Sequence, residues 1–403
     1  MNVSRRNYIL MFLDKIFFIN AMAFISINSV IPYFLDNLAA STFEVSLASV
    51  LAALGTLITQ PIFSKIAMKL PYKLKTLVKI LFLQRVLFLL FVISIPFVAS
   101  KSPNLMIIVF LLCWGIFNLF VGCYGPLYSS IVAKLISNEQ RGRLLGFGNA
   151  VGSIIAIGSS VLIGVLLDKV AYPYNYTIIF AIGVIILLAD ALIFHFMVNE
   201  APDEVAKTDL GYFQYFQYIP KVFRRNKKFL QVVLGNSFFT VATMVLAYYS
   251  LYAIKKYNIG AAEIAIFNGI AMLVNILGNI LLGIIADKLG HRLSLQYSAF
   301  FGFAAGIIVL TINNISAVYL AFALTSLCYC GYQLSSWIFI IEYSPKDEIP
   351  IYISINSMIT LIISSIVLTI SGIVIDRFSF QPVFILTLIT GFGAYYIYKK
   401  LKK

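Results

Sequence analysis

Charge is what this chain has least of. Only 11% of its 403 residues are Asp, Glu, Lys or Arg, against 61% hydrophobic ones, and the mean hydropathy is +0.94. A soluble domain carries roughly 25% charged residues, so lipid must be the solvent for much of this surface. Acids are scarcer than bases, 16 against 30. The resulting charge of +14 invites a nucleic-acid partner, but the basic residues fall between apolar runs and never form a face, which excludes one. Histidine occurs twice and cysteine four times. Cys113, Cys123, Cys328 and Cys330 all lie in apolar stretches. No His or carboxylate stands near them at ligand spacing, so neither a disulfide framework nor a metal centre is indicated. The phosphate-binding loop of an ATP-driven pump is missing. So is any nucleophile–base set, which excludes an enzyme, and no cofactor is expected.

What fills the chain instead is long apolar runs. A helix crossing the hydrocarbon core needs about 20 such residues. The runs place spans at 8–35, 42–66, 76–98, 104–133, 143–167, 174–197, 229–254, 262–286, 293–312, 315–342, 350–375 and 380–398. They are continuous rather than alternating, so they read as helices and not as barrel strands. Arg5 and Arg6 before the first run resemble the start of a signal peptide, but the run extends to Leu35, too long for one, and reads as an uncleaved first helix.

The connections alternate in charge. Of the 30 Lys and Arg residues, 23 fall in one set of loops and the termini, and five (Lys101, Lys169, Lys255, Lys256 and Arg377) in the other. That bias predicts a multi-pass protein of the cell membrane with both termini cytoplasmic. The one long polar stretch, 199–228, divides the chain into an N-terminal six-helix bundle (1–198), a cytoplasmic central loop and a C-terminal six-helix bundle (229–403).

The two parts repeat each other. Glu44 and Glu263, Gln60 and Asn279, Lys69 and Lys288, and Lys73 and Arg292 stand 219 residues apart. Glu139 and Asp347, Gly164 and Gly372, and Asp168 and Asp376 stand 208 apart. Seven matches at two constant offsets, in matching topological places, mark an internal duplication. Duplicated polytopic chains are typical of secondary transporters, with the solute site near midplane between repeats.

At this point the residues resemble the major facilitator superfamily over nearly the whole chain. Gly283, Asp287, Lys288, Gly290 and Arg292, between spans eight and nine, are similar to the family's signature loop. The copy between spans two and three is degraded, with Ser64, Met68 and Pro71 at its key places, though Lys65, Lys69 and Lys73 keep the charge. The run Val30-Ile-Pro32-Tyr33-Phe-Leu closing span one, the run Glu139-Gln-Arg141-Gly142-Arg143 opening span five, and Gly-x-x-x-Asp ending spans five and eleven are family-like as well. The proton-antiport markers are weak: span four has no embedded arginine, and Ser153 stands where the drug-antiporter motif has proline. The resemblance implies an all-α membrane protein, twelve transmembrane helices in two pseudo-symmetric six-helix bundles. The implied cavity is lined by spans 1, 4, 7 and 10 and supported by 2, 5, 8 and 11.

Polar residues on those spans are the candidate substrate ligands: Asn20, Asn28, Trp114, Asn118, Tyr124, Asn149, Asn236, Thr240, Tyr248, Asn275, Gln333 and Asn356. Asn268 and Trp337 share these spans. A buried amide must find a partner across helices, in water or in a solute. Two charges sit deeper. Arg85 lies about nine residues, roughly 14 Å, into span three, and Asp190 roughly 10 Å from the inner end of span six. An intramembrane charge is expensive and usually functional. Arg85 could bind an anionic or polar solute, Asp190 could carry a coupling proton, or the two could be structural ions. Asp14 and Lys15, near the start of span one, read as gate or surface charges, and His195 as an interfacial residue. Glu342 belongs with the gate. The resemblance implies that Gly283, Asp287, Lys288, Gly290 and Arg292 close the cytoplasmic side against the start of span five, near Arg141.

The expected function is a secondary transporter that moves a small organic solute by alternating access. The preferred direction is efflux of an amphipathic molecule. An uptake permease for a sugar or metabolite is the alternative, and a transporter-fold receptor or lipid scramblase the alternative of another class. The expected partners are a small-molecule substrate, the lipid bilayer and coupling protons, with the chain a monomer. The parity of the spans is directly testable: tags inserted after residue 198 and after residue 403 are expected on the same side of the membrane in a protease-protection assay.

Overall fold

A computed structural model of the chain describes residues 3–136, 138–196, 200, 202, 212–345 and 348–401; side chains at 3, 4, 133, 138, 139, 141–143, 145, 212–218 and 350 lie outside that description. The described residues are mostly helical, with no strand among them. Fifteen helices follow in order: α1 (Val3–Phe24), α2 (Val30–Asn37), α3 (Thr42–Lys69), α4 (Leu74–Val98), α5 (Pro103–Leu135), α6 (Asn138–Lys169), α7 (Tyr174–His195), α8 (Tyr212–Arg225), α9 (Lys227–Thr243), α10 (Leu246–Tyr257), α11 (Ala261–Leu289), α12 (His291–Thr311), α13 (Ile315–Glu342), α14 (Ile349–Arg377) and α15 (Gln381–Lys400).

Eleven segments among the described residues are long and apolar enough to cross a membrane, α9 and α10 counting as one. The last helix, α15, has the length, but Gln381 and the tyrosines 395, 396 and 398 dilute its apolar run. Together these make the twelve spans of a multi-pass membrane protein.

Three details differ from the sequence expectation. The first span is broken between α1 and α2, and the seventh between α9 and α10. The offset of 219 carries the first break, at 25–29, onto 244–248, so the repeats share it. The third difference is α8, which turns part of the stretch read as a polar loop into helix. Arg225 at its end pairs with Glu348 at 2.9 Å, and Val222 is buried against Phe229 and Tyr352.

The chain divides into two compact units. Unit 1 is Met1–Ala40, Leu47–Leu210 and Gly260–Gly269; unit 2 is Ser41–Ser46, Gly211–Ile259 and Ile270–Lys403. The short exchanged segments, the first turns of α3 and α11, are again related by the offset of 219.

Unit 1 is organised on aromatics. Phe34 of α2 is fully buried and meets Phe91, Phe110, Tyr176 and Phe180 with centroids 5.0–6.2 Å away. Trp114 stacks on Phe117 at 5.3 Å and 4°, and its indole N–H donates to Ala48 O at 2.9 Å. These rings hold α2 in place although it has only eight residues. At the break, Asn268, 1% exposed, donates from Nδ2 to Ala23 O at 3.1 Å, supplying the donor that the missing helical turn would have given. Unit 2 is organised on small residues. A Cβ on Gly306 would sit 2.7 Å from Leu388, and one on Gly391 2.6 Å from the Phe303 backbone. These contacts let α12 and α15 approach backbone to backbone, as membrane helices do where lipid gives no hydrophobic drive.

Asn268→Ala leaves the Ala23 carbonyl without its partner. It is expected to cost about 1–2 kcal/mol, read as a lowered melting temperature of the detergent-purified protein. An unchanged melting temperature would remove this account of the broken span.

Candidate functional site

Four helices of unit 1 place charged and phenolic side chains around one small cavity of about 160 Å³. Asp14 and Lys15 come from α1, Arg85 from α4, Tyr124 and Tyr128 from α5, and Asp190 from α7; Phe18, Leu81 and Phe194 complete the wall. The spacing within each helix explains the convergence. Tyr124 and Tyr128 are four residues apart, and Leu187 and Asp190 three, so each pair shares one helix face.

Arg85 is fully engaged. Its Nη2 donates to Asp190 Oδ2 at 2.7 Å, its Nε to Leu187 O at 2.6 Å and its Nη1 to Gln84 Oε1 at 3.3 Å. Gln84 in turn donates to Phe117 O at 2.8 Å. Both ions of the pair are 1% exposed. A guanidinium so occupied has little left for a solute, so its direct effect is to fix one oxygen of Asp190.

The other oxygen is the unusual atom. Asp190 Oδ1 is buried and has no hydrogen-bond partner among the described residues. The Asp190 carboxyl stands beside that of Asp14 in the cavity wall, and Asp14 as an anion has no hydrogen to give. Asp14, 5% exposed, accepts from Tyr128 OH at 2.8 Å. The Lys15 ammonium lies 5.8 Å from the centre of the Tyr128 ring, within cation–π range. Two acids thus stand side by side with one directly bonded base. A single proton shared between them would let the two carboxyl groups bond to each other.

The ion pair joins Arg85 and Asp190, one of the arrangements left open by the sequence. Asp14 is a correction. Its place near the start of span one suggested a gate or surface charge, but α1 begins at Val3, so Asp14 stands eleven residues in. Arg85 stands eleven residues into α4, and both are roughly 16 Å from their helix starts. That shared depth was the signal available for Asp14, hidden by a span start placed five residues late.

The twelve candidate substrate ligands are distributed over both units. In unit 1, Asn20 donates to Ile16 O and Gly152 O and accepts from Ser159 at 3.0 Å, tying α1 to α6. Asn118 bonds Trp114 O. Tyr124 lines the charged cavity, while Asn28 lies in the break and Asn149 is half-buried. In unit 2, Asn236 donates to Asn356 Oδ1 at 2.8 Å and accepts from Tyr398 OH at 2.7 Å, and Thr240 bonds Asn236 O. Tyr248 OH reaches Ser46 and Leu368 O, and Asn275 accepts from Asn279. Gln333 differs from the rest. It is exposed, bonds Tyr329 OH at 2.8 Å, and forms with exposed Tyr329 and Trp337 a strip at four-residue spacing along α13.

Of the candidate gate, Gly290 has φ +88°, a conformation glycine alone adopts without strain, and it opens α12. Arg292 donates to Leu401 O at 2.8 Å, near the end of α15. Asp287 and Lys288 are exposed, Gly283 is half-buried, and the side chain of Arg141 lies outside the described residues. His195 is exposed against Phe196. No group of three or more His, Cys, Asp or Glu able to hold a metal ion occurs among the described residues.

A dozen apolar helical spans, with charged and phenolic side chains from four of them lining one pocket, have the build of a membrane transporter. The family model described as Major Facilitator Superfamily matches residues 16–316, and the chain belongs to that family. No curated protein matches it. Among solved structures it is similar to a bacterial homologue of the iron transporter ferroportin in an inward-facing state, at TM-score 0.71 and 11% identity over 99% of this chain and 98% of that one. It is also similar to a D-xylose–proton symporter, at 0.68 and 15% over 98% of each chain, and to the E. coli fucose:proton symporter, at 0.64 and 18% over 98% of each. At these identities the likeness is one of fold. The protein is a secondary transporter and not an enzyme.

The buried pair makes a double-variant test possible. Arg85→Met strands Asp190 and is expected to destabilise the protein by about 3–5 kcal/mol. Arg85→Met combined with Asp190→Leu is expected to recover most of that loss, because neither member of the ion pair is left without the other. Thermal unfolding of the detergent-solubilised variants reads both; a double variant as unstable as the single one contradicts the pairing.

Proposed function

We propose that this chain exchanges protons for a small amphipathic organic solute, exporting it across the cell membrane by alternating access, as a monomer with both termini in the cytoplasm. The observation that supports the reading is the unpartnered Oδ1 of Asp190 in a carboxyl group that stands beside the Asp14 carboxyl in one cavity wall. Arg85 anchors Asp190, Tyr128 anchors Asp14, and one proton can enter and leave between them. With the proton bound, the site holds two cations against one remaining anionic carboxylate; without it, two anions face the same cations. A swing of one charge inside hydrocarbon favours different degrees of exposure to water. That is how a proton gradient can bias a two-state carrier.

The solute class rests on the polar groups carried by the spans named for the cavity, which are amides, hydroxyls and rings rather than ions. The strip of Tyr329, Gln333 and Trp337 on α13 supports it. An exposed amide within a span needs a watery or ligand-filled surrounding, and two flanking rings offer a surface to an apolar body. In this reading the two six-helix bundles, 1–198 and 229–403, rock about a shared central site. Asp287, Lys288 and Arg292 take part in the cytoplasmic gate with Arg141.

A ligand screen by melting temperature identifies the solute, since binding to the folded state raises apparent stability. The solute found is then followed in inside-out vesicles with and without a protonophore. Uptake into such vesicles that collapses with the protonophore is the expected result; uptake only in right-side-out vesicles would make the protein an importer. Asp14→Asn is expected to keep ligand-induced stabilisation but lower gradient-driven accumulation at least tenfold, roughly the loss of 1.4 kcal/mol of coupling. Full gradient-driven accumulation by this variant would rule out the proposed proton site.

A further inference from the structure

The first turn of α3 is secured by residues more than 200 positions away. A helix N-terminus leaves its leading N–H groups without intrahelical partners. Here all of them are taken. Ser41 and Glu44 form the reciprocal capping box: Ser41 N donates to Glu44 Oε2 at 2.8 Å and Glu44 N to Ser41 Oγ at 3.2 Å. Val45 N donates to Ser41 O at 3.1 Å. The two amides between them go to one carboxylate. Thr42 N donates to Asp376 Oδ1 and Phe43 N to Asp376 Oδ2, each at 2.8 Å.

Other contacts surround this pair. Lys255 Nζ donates to Thr42 Oγ1 at 2.8 Å. Ser46 Oγ is within 2.8 Å of Tyr248 OH, which donates to Leu368 O at 3.1 Å. Gly372, one turn before Asp376, lies so close that a Cβ there would stand 3.0 Å from Phe43 Cα. All these residues belong to unit 2. Ser46 is 2% exposed, whereas the Asp376 pair with Phe43 N is open to solvent.

The repeat supplies the comparison. Gly372 and Asp376 correspond to Gly164 and Asp168, and Thr42, Phe43 and Ser46 to Ala261, Ala262 and Ala265. Glu263 repeats the role of Glu44, accepting from Gly260 N at 3.0 Å, and Gly164 repeats the close approach, with its Cβ position 2.8 Å from Ala265. Yet Asp168 is exposed and makes no bond to Ala261 or Ala262 among the described residues. It borders instead an open groove of about 600 Å³ in unit 1, shared with Ala262 and Ala265. The same carboxylate, glycine and helix start therefore occur twice, once fastened and once open.

We propose that Asp376 is a latch: its carboxylate, seated on the N-terminus of α3, fastens the first turn of that helix within unit 2, and it must let go in each transport cycle. The inference rests on alternating access but not on the proposed proton site. A carboxylate at a helix start gains from the partial positive charge there and from two charge-assisted hydrogen bonds. It forms and breaks without the desolvation a buried ion pair would demand, because it sits at the solvent edge. Lys255 acts as a positioning residue, holding Thr42 so that its N–H aims at the carboxylate.

The test needs no substrate. Ser46→Cys is placed in a background lacking the four native cysteines and labelled with a membrane-impermeant maleimide in reconstituted vesicles. With Asp376 intact, labelling is expected to be slow. Adding Asp376→Asn, which keeps the shape but loses the charge and one acceptor, is expected to raise the rate roughly tenfold, with Asp376→Glu restoring slow labelling. Lys255→Met is expected to shift the rate in the same direction by less. Melting temperatures measured in parallel separate opening from unfolding: faster labelling at an unchanged melting temperature supports the latch. Equal rates with and without the Asp376 charge overturn it, and so does faster labelling that merely tracks a fallen melting temperature. Failure of the Asp14 experiment would leave this result untouched.

Discussion

Hydrocarbon offers no hydrogen bonds, and that single fact governs most of what is distinctive in this molecule. A backbone group left bare in lipid costs several kcal/mol, so every place where a helix stops or breaks must bring its own partner. At several helix ends the chain meets this demand with side chains, some local and some from distant segments. Glu200 accepts from Lys73 N and Leu74 N at the start of α4, Asn226 caps α9 and Asn314 caps α13. Asn268 answers for Ala23, Arg292 for Leu401, and Asp376 for Thr42 and Phe43. The scarce polar residues are spent where helices end.

The charged cavity of unit 1 follows the same rule under stricter conditions. Arg85 finds three acceptors, and Asp14 is held by a tyrosine. Only Asp190 Oδ1 is left over. A proton shared with Asp14 would satisfy it, which is the role proposed for that pair. The transporter reading and the packing of α1, α4, α5 and α7 thus meet in one oxygen atom.

Much of the fold was legible because membrane helices announce themselves through length and apolarity, and because lysine and arginine mark loops. The capping box of Ser41 and Glu44 was readable too, since it is local. The repeat, visible as seven residue matches, carried further than expected, for its offset also relates the two helix breaks and the two exchanged first turns. The breaks themselves left no local sign: Ser26, Asn28 and Ser29 are modest helix formers, and around Met244 nothing interrupts the apolar run. The pairing of Asp14 with Asp190 was hidden because it depends on how deep each residue lies. A span boundary known to within a few residues leaves depth uncertain by one helical turn. For the amides of the proposed cavity, the sequence could say that each needs a partner, but only packing says which: Asn236 and Asn356 found each other, and Gln333 stayed open.

The broken first span has a mechanical side. An unbroken rod of 35 residues would be about 52 Å long, and tilting its outer tip would sweep its inner end through a comparable arc. With the joint at 25–29, the eight residues of α2 form a short lever about 12 Å long. It can pivot while Asp14, eleven residues down α1, stays where it is. The aromatic nest around Phe34 is then a bearing surface, and motion at the far end of the span need not jolt the carboxyl group below.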